Sequence, residues 1–114
     1  ANSMNVAGRM VELAAGKLIS DLFDDRIARP LGMKSTELKY PSRQQPQVGA
    51  GFVSSAEDYA KFVAMILNRG KAGGKRVLSE KSIAEMERDQ TGGVKIVFSP
   101  YTRLANVSPA LPGT

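Results

Sequence analysis

Gly49-Ala50-Gly51-Phe52-Val53-Ser54-Ser55-Ala56-Glu57-Asp58-Tyr59-Ala60-Lys61-Phe62 carries the clearest structural signals in the chain. The small residues from Val48 to Gly51, followed by Phe52 and Val53, predict a turn and a short strand, because absent side chains let another backbone come close. Ser54 and Ser55 ahead of Glu57 and Asp58 form a capping-box-like helix start. Tyr59, Phe62, Val63, Ile66 and Leu67 then recur at helical spacing until Gly70, which defines a core face. A strand running directly into a well-capped amphipathic helix points to an α+β chain.

The pattern extends both ways from there. Ser79 opens a further helix, with Ile83 and Met86 inward, that reaches about Asp89. Gly92-Gly93 predicts a turn, and Val94, Ile96 and Phe98 alternate as on a strand. Upstream, Met4, Ala7, Met10, Val11 and Ala14 line one face of a helix over residues 4 to 15, with Ser3 placed to cap its start and Gly16 its end. A second helix runs from Ser20 or Asp21 to about Ala28 and buries Leu22, Phe23 and Ile27. Asp21, Asp24 and Asp25 in its first turns suit the helix dipole and need no metal, and Pro30 is expected to stop it. The polar stretch to Gln47, with Pro41 and Pro46, reads as a long loop with a short extended piece around Glu37 to Tyr40. Helix-rich sequence thus occupies residues 1–98, and residues 99–114, with Pro100, Pro109 and Pro112, form an irregular tail.

Composition narrows the chemistry. The 114 residues suffice for one modest core. The sequence has no Cys and no His, which removes disulfides, thiolate metal sites, cysteine nucleophiles and the Ser-His-Asp triad together. No metal or cofactor is expected. The net charge of +5 includes a cluster at Arg69, Lys71, Lys75 and Arg76 set among glycines. With no aromatic residue beside it, the cluster reads as a solvated loop and not as a nucleic-acid surface. No apolar run approaches the roughly 20 residues that cross a bilayer, so membrane insertion is not expected.

Nucleotide motifs fail on inspection. Gly74-Lys75 is followed by Arg76 where a phosphate loop needs Ser or Thr, and Ser54 stands at the third glycine position of a dinucleotide fingerprint. Without histidine, a serine nucleophile needs a Ser-x-x-Lys pair on a helix, where the amine lies under the hydroxyl. No serine here has Lys three positions later. Thr36 and Lys39 have that spacing, but they lie in the irregular loop with no helix to align them.

Four stretches, in order, resemble one family. Residues Ser3 to Glu12 with Ala15-Gly16-Lys17 resemble the helix after the Tyr-containing second motif of class C β-lactamase-like serine hydrolases and penicillin-binding proteins. Leu22-Phe23, Arg26-Ile27 and Pro30-Leu31-Gly32-Met33-Lys34-Ser35-Thr36 resemble that family's Pro-Leu-Gly-Met segment ending in Thr. Gly49 to Phe62 resembles its glycine turn and helix start. Asn68-Arg69-Gly70, Gly74-Lys75-Arg76-Val77-Leu78-Ser79 and Met86 continue the match, which covers about residues 3 to 93.

The resemblance implies part of a penicillin-recognising fold, mainly its helical region. It also implies a serine hydrolase acting on a β-lactam, a peptidoglycan peptide or an ester. Its Ser-x-x-Lys, second-motif Tyr and Lys-Thr-Gly or His-x-Gly strand would lie outside these residues, so no catalytic residue is assigned and the chain alone is expected to be inactive. Ala1-Asn2 matches the end of a Tyr-Ala-Asn motif, which would make Asn2 a substrate-side residue. The spacing to Gly8 is shorter than the commonest pattern, and the plain alternative is an ordinary residue ahead of a helix. A different reading takes the chain as a noncatalytic interaction module whose helical faces bury against another copy or a complementing fragment. The family is often periplasmic or secreted; the sequence itself names no compartment.

Overall fold

A computed structural model describes residues 2–39 and 47–94. The expected tail at 99–114 and most of the strand expected at Val94 to Phe98 lie outside the described residues. Helix-rich α+β architecture is what the chain adopts. Helix α1 spans Asn2–Ala15, α2 Ile19–Phe23, a π-helical turn Asp24–Ala28, α3 Arg29–Leu31, α4 Ala56–Leu67 and α5 Glu80–Glu87. Two small antiparallel ladders join them, β1 (Glu37–Leu38) with β2 (Phe52–Val53), and β3 (Lys71–Ala72) with β4 (Lys75–Arg76).

Helix α1 begins at Asn2, so Ser3 lies inside its first turn and not ahead of it, a correction of the expected cap. It turns at Gly16 as expected. Its only buried residues are Gly8 and Glu12, because it attaches to the rest of the chain by its polar edge. Asn5 Oδ1 accepts from the Gly49 amide at 3.2 Å, and Glu12 accepts from the Ile19 amide at 2.9 Å while pairing with Arg9 at 2.8 Å. Leu18 has no side chain able to cap α2, and Glu12 satisfies that helix start from the preceding helix. The expected core face of α1 is therefore exposed, with Met4, Met10 and Val11 all open to solvent.

Pro30 does not stop the second helix, which continues to Leu31. A proline inside a helix lacks an amide donor and presses its ring on the carbonyl four residues back. Here the turn before it, Asp24–Ala28, widens to π geometry, a known way of absorbing such an interruption. The helix ends instead at Gly32 in the left-handed region. The Met33 amide donates to Ala28 O at 2.8 Å and the Gly32 amide to Arg29 O at 3.1 Å, a Schellman closure.

Gly51 sits where strands β1 and β2 meet. A Cβ there would lie 2.5 Å from Gln47 O and 2.7 Å from Lys39 O, so the short side chain read from the sequence is a steric requirement. Helix α4 starts on Ser55, whose hydroxyl accepts from the Asp58 amide at 3.2 Å, as the serine pair predicts. It buries Met65, while Tyr59, Val63 and Leu67 of its expected core face stay exposed. The basic cluster forms the β3–β4 hairpin, where a loop was expected; Gly73 and Gly74 at its tip both have positive φ. Helix α5 is capped by Ser79 and buries Ile83 completely, but it ends at Glu87 and leaves Met86 exposed, contrary to expectation. With little more than two turns beyond its cap, it has a single row that reaches the core formed by Ala28, Leu31, Leu38, Met65 and Ile83.

Candidate functional site

A buried polar cluster joins the start of α4 to the segment between α3 and β1. Asp58, 2% exposed, sits at its centre. Its Oδ2 accepts from the Ser35 amide at 2.6 Å and from the Thr36 hydroxyl at 2.9 Å, and its Oδ1 accepts from Lys61 Nζ at 3.3 Å. Lys61 also donates to Gly32 O at 3.0 Å and pairs with Glu57 at 2.9 Å. The Thr36 and Ser54 hydroxyls are 2.7 Å apart. Burial by itself would raise the Asp58 pKa, but donation from Ser35, Thr36, Lys34 and Lys61 outweighs it and holds the carboxyl below its ordinary value. Lys61 is held above its ordinary value, chiefly by its hydrogen bond to Glu57, with burial opposing and Asp58 assisting.

An ionised carboxylate that already accepts from several donors is a weak base. The Thr36 proton is committed to it, so this hydroxyl is held and not activated. The cluster clamps the Gly32–Thr36 turn onto α4. Beside it lies an apolar hollow of about 280 Å³ between α2, β2 and α4. Phe23, Phe52, Tyr59 and Phe62 wall it together with Met33, Thr36 and Ser54, and its lining is almost wholly apolar. Phe23 and Phe52 meet edge to face, with centroids 4.7 Å apart.

The residues singled out in the sequence are not brought together. Asn2 is the exposed first residue of α1. Lys39 pairs with Glu37 at 3.3 Å, while the Thr36 hydroxyl turns to Asp58. Asp25 pairs with Arg29 at 3.0 Å and Lys17 at 3.3 Å, and among the described residues no group of three His, Cys, Asp or Glu side chains could hold a metal ion. No helix of the described residues is long and apolar enough to cross a membrane. Sequence reasoning took Asp58 for a helix-start carboxylate and missed its burial. The available signal was that Ser-x-x-Asp places an acidic group at the third helical position, where the adjoining segment ends in Ser35 and Thr36.

The clamp predicts a pH dependence. Glu12 resembles Asp58: burial would raise its pKa, and the Ile19 amide and Arg9 outweigh that and lower it. A carboxylate depressed in the fold stabilises it above the ordinary value, 3.8 for Asp58 and 4.5 for Glu12. That contribution is lost as pH falls past those values toward the depressed ones. Lys61, raised above 10.5, contributes in the opposite sense: its share is present at neutral pH and lost on strong alkalinisation. Thermal unfolding followed from pH 7 to pH 2 should show a level melting temperature down to about pH 5 and a steady fall below it. A flat profile to pH 3 would exclude the clamp.

Comparison with known proteins adds the wider frame. The Beta-lactamase family model matches residues 1–103. A solved structure described as "Crystal structure of putative beta-lactamase from Bacteroides dorei DSM 17855" superposes with a TM-score of 0.74 at 30% identity, covering 90% of this chain and 32% of that one. The curated "Unguisins hydrolase ungD'" of Aspergillus campestris (strain IBT 28561) is 33% identical over 92 aligned residues, a match that covers 17% of that protein. The chain thus spans about a third of the solved structure and about a sixth of the curated relative.

Proposed function

Because this chain belongs to the beta-lactamase family, we propose that it is scaffold from a serine hydrolase that cleaves an amide or ester by acyl transfer, a β-lactam, peptidoglycan peptide or ester being the substrate class. The observation that carries this reading is the family match over residues 1–103; across all 114 residues no Ser is followed by Lys three positions on, and there is no His. Acyl transfer needs a nucleophile, a proton acceptor and carbonyl stabilisation converging from separate segments. The hydroxyl nearest to such a role here, that of Thr36, already donates to a depressed carboxylate. The residues described hold a frame on which those groups would be mounted, and the chain by itself turns nothing over. Both relatives are named for hydrolysis or for β-lactams, which supports the reaction class and leaves the substrate to experiment.

The isolated chain, assayed with a chromogenic β-lactam and a short-chain aryl ester, is expected to match the buffer blank. Turnover that survives purification, or a covalent acyl adduct seen by mass spectrometry on any of its side chains, would overturn the reading.

A second reading, that the piece works as an interaction module, is favoured by the outward face of α1. Val6, Met10 and Leu13 are 62%, 65% and 68% exposed, an apolar stripe that soluble helices normally cover. On this reading the chain should run above its monomer mass in light scattering, and a clean monomer at high concentration counts against it.

A further inference from the structure

Helix α1 is fastened along one row and open on both flanks. Its buried residues, Gly8 and Glu12, lie four apart and so one above the other. On one side of that row a hollow of about 380 Å³ separates Val11 and Ala15 from Ile19, Leu22, Ile27 and Leu78. On the other side a hollow of about 310 Å³ runs along Arg9 and Leu13 to the joint at Gly16 and Lys17. Close packing, which leaves few voids larger than a water molecule, is what normally holds a helix still. Neither flank of α1 has it.

Two hydrogen bonds fix α1 to the described rest of the chain, one near each end, and they differ in kind. The buried Glu12 carboxylate accepts from the Ile19 amide at 2.9 Å, which makes that end a pivot. Beside it Gly16 has φ of +65° with nothing within 4 Å of a Cβ, so the joint is uncrowded. At the other end a neutral bond runs from the Gly49 amide to Asn5 Oδ1 at 3.2 Å. Asn5 stands about 10 Å up the helix from Glu12, so a tilt of about 20° carries it roughly 4 Å, enough to part it from Gly49. A tilt toward the larger hollow brings Val11, 46% exposed, onto Ile19 and Leu22. Burial of apolar surface then favours the motion that loss of one hydrogen bond opposes.

We propose that α1 is a hinged arm with two positions, the latched one seen here and a closed one in which Asn5 has left Gly49 and Val11 and Ala15 fill the hollow against α2. The helix stays helical and turns as a unit about Gly16. The occupant of the hollow is thus a segment of this chain, and the device does not depend on the hydrolase reading.

The chain has no Cys, so spin labels attach only where cysteines are introduced. Labels at Ser3→Cys on α1 and Lys81→Cys on α5, both exposed positions, report the tilt as a separation measured by pulsed dipolar spectroscopy. The closed position should differ from the latched one by roughly 5 Å in this separation. Asn5→Ala should raise the ratio of closed to latched about fivefold, the worth of one neutral hydrogen bond, with helix content by circular dichroism unchanged. Asn5→Asp, which keeps an acceptor and adds charge to it, should lower that ratio. A single separation that neither substitution moves, or two separations whose ratio ignores both, would overturn the proposal. So would a broad spread of separations accompanied by loss of helix content, since α1 would then fray and not swing. If Asn5→Ala unfolds the chain, the unaltered chain and Asn5→Asp decide: two separations with the closed one diminished by Asn5→Asp support the arm, and one common separation overturns it.

Discussion

Asp58→Ala is expected to lower the melting temperature by on the order of 15 °C, whereas Glu57→Ala, one residue earlier, should move it by no more than about 2 °C. The two side chains carry the same charge at the start of the same helix, so the helix dipole treats them nearly alike. Their surroundings differ. The Glu57 side chain is 80% exposed and its partner Lys61 can turn to water, the circumstance in which ion pairs contribute little. The Asp58 side chain is 3% exposed, and its removal orphans the Ser35 amide, the Thr36 hydroxyl and one side of the Lys61 ammonium. Unmatched buried donors bear their full desolvation cost. Asp58→Asn should fall between the two, because the amide keeps one acceptor oxygen but points two donors at groups that already donate. Thermal unfolding by circular dichroism at pH 7 measures all three. Equal shifts for positions 57 and 58 would mean that the clamp does not hold the Gly32–Thr36 turn. At pH 2.5 the difference between the unaltered chain and Asp58→Ala should shrink, since protonation has already released part of what the substitution removes.

Gly70→Ala should cost at least about 3 kcal/mol, a second large effect with a different cause. Helix α4 closes through a Schellman arrangement in which the Gly70 amide donates to Met65 O at 2.9 Å and the Arg69 amide to Ile66 O at 3.0 Å. Gly70 itself has φ of +88°, a region that resists a side chain. A Cβ at this position would overlap the carbonyl oxygen of Leu78. That carbonyl belongs to backbone pinned from both sides, since the Val77 and Leu78 amides donate to Gly70 O at 2.8 and 3.1 Å. Neither partner can yield without breaking the closure between α4 and the hairpin. Gly73→Ala is the control, because it too has positive φ, but nothing lies within 4 Å of a Cβ there, so its cost should stay near about 1 kcal/mol. Chemical denaturation of both variants separates steric overlap from backbone strain. If the two cost the same, the close approach to Leu78 is not what requires glycine at position 70.

Arg69 shows how such a closure tolerates a residue that disfavours it. It adopts φ of +53° without being glycine, yet its guanidinium pairs with Glu87 at 2.7 Å and its carbonyl accepts from Arg76 at 3.0 Å. In the sequence this region stands out by its charge, its glycines and its family match, none of which specifies these contacts. Three of the four cluster residues turn out to differ in their engagement: Arg69 and Arg76 tie the hairpin to α5 through Glu87 and Glu80, while Lys71 lies exposed on β3.

Local signals read well along this chain because they depend on neighbours a few residues apart. The Ser55 and Ser79 caps, the end of α1 at Gly16 and the strand at Phe52–Val53 all follow from hydrogen bonding and sterics within one turn. The site was far less legible. Periodicity marks Tyr59, Val63 and Leu67 as an apolar stripe but not which surface the stripe faces, and here the stripe is left open while Met65 goes inward. Pro30 was misread for a related reason, since whether a proline ends a helix depends on whether the preceding turn can widen.

Residue pattern alone thus gives most of the helices and turns, the chemistry excluded by missing His and Cys, and the family that the ordered motifs resemble. Three-dimensional packing adds that Asp58 and Glu12 are the buried polar residues among those described, and that Thr36 serves a carboxylate and not a lysine. Separation along the chain accounts for the difference. Burial of a charge is tolerable only when donors converge on it, and the donors to Asp58 come from Ser35 and Thr36, 23 and 22 residues away, a meeting that no local pattern specifies.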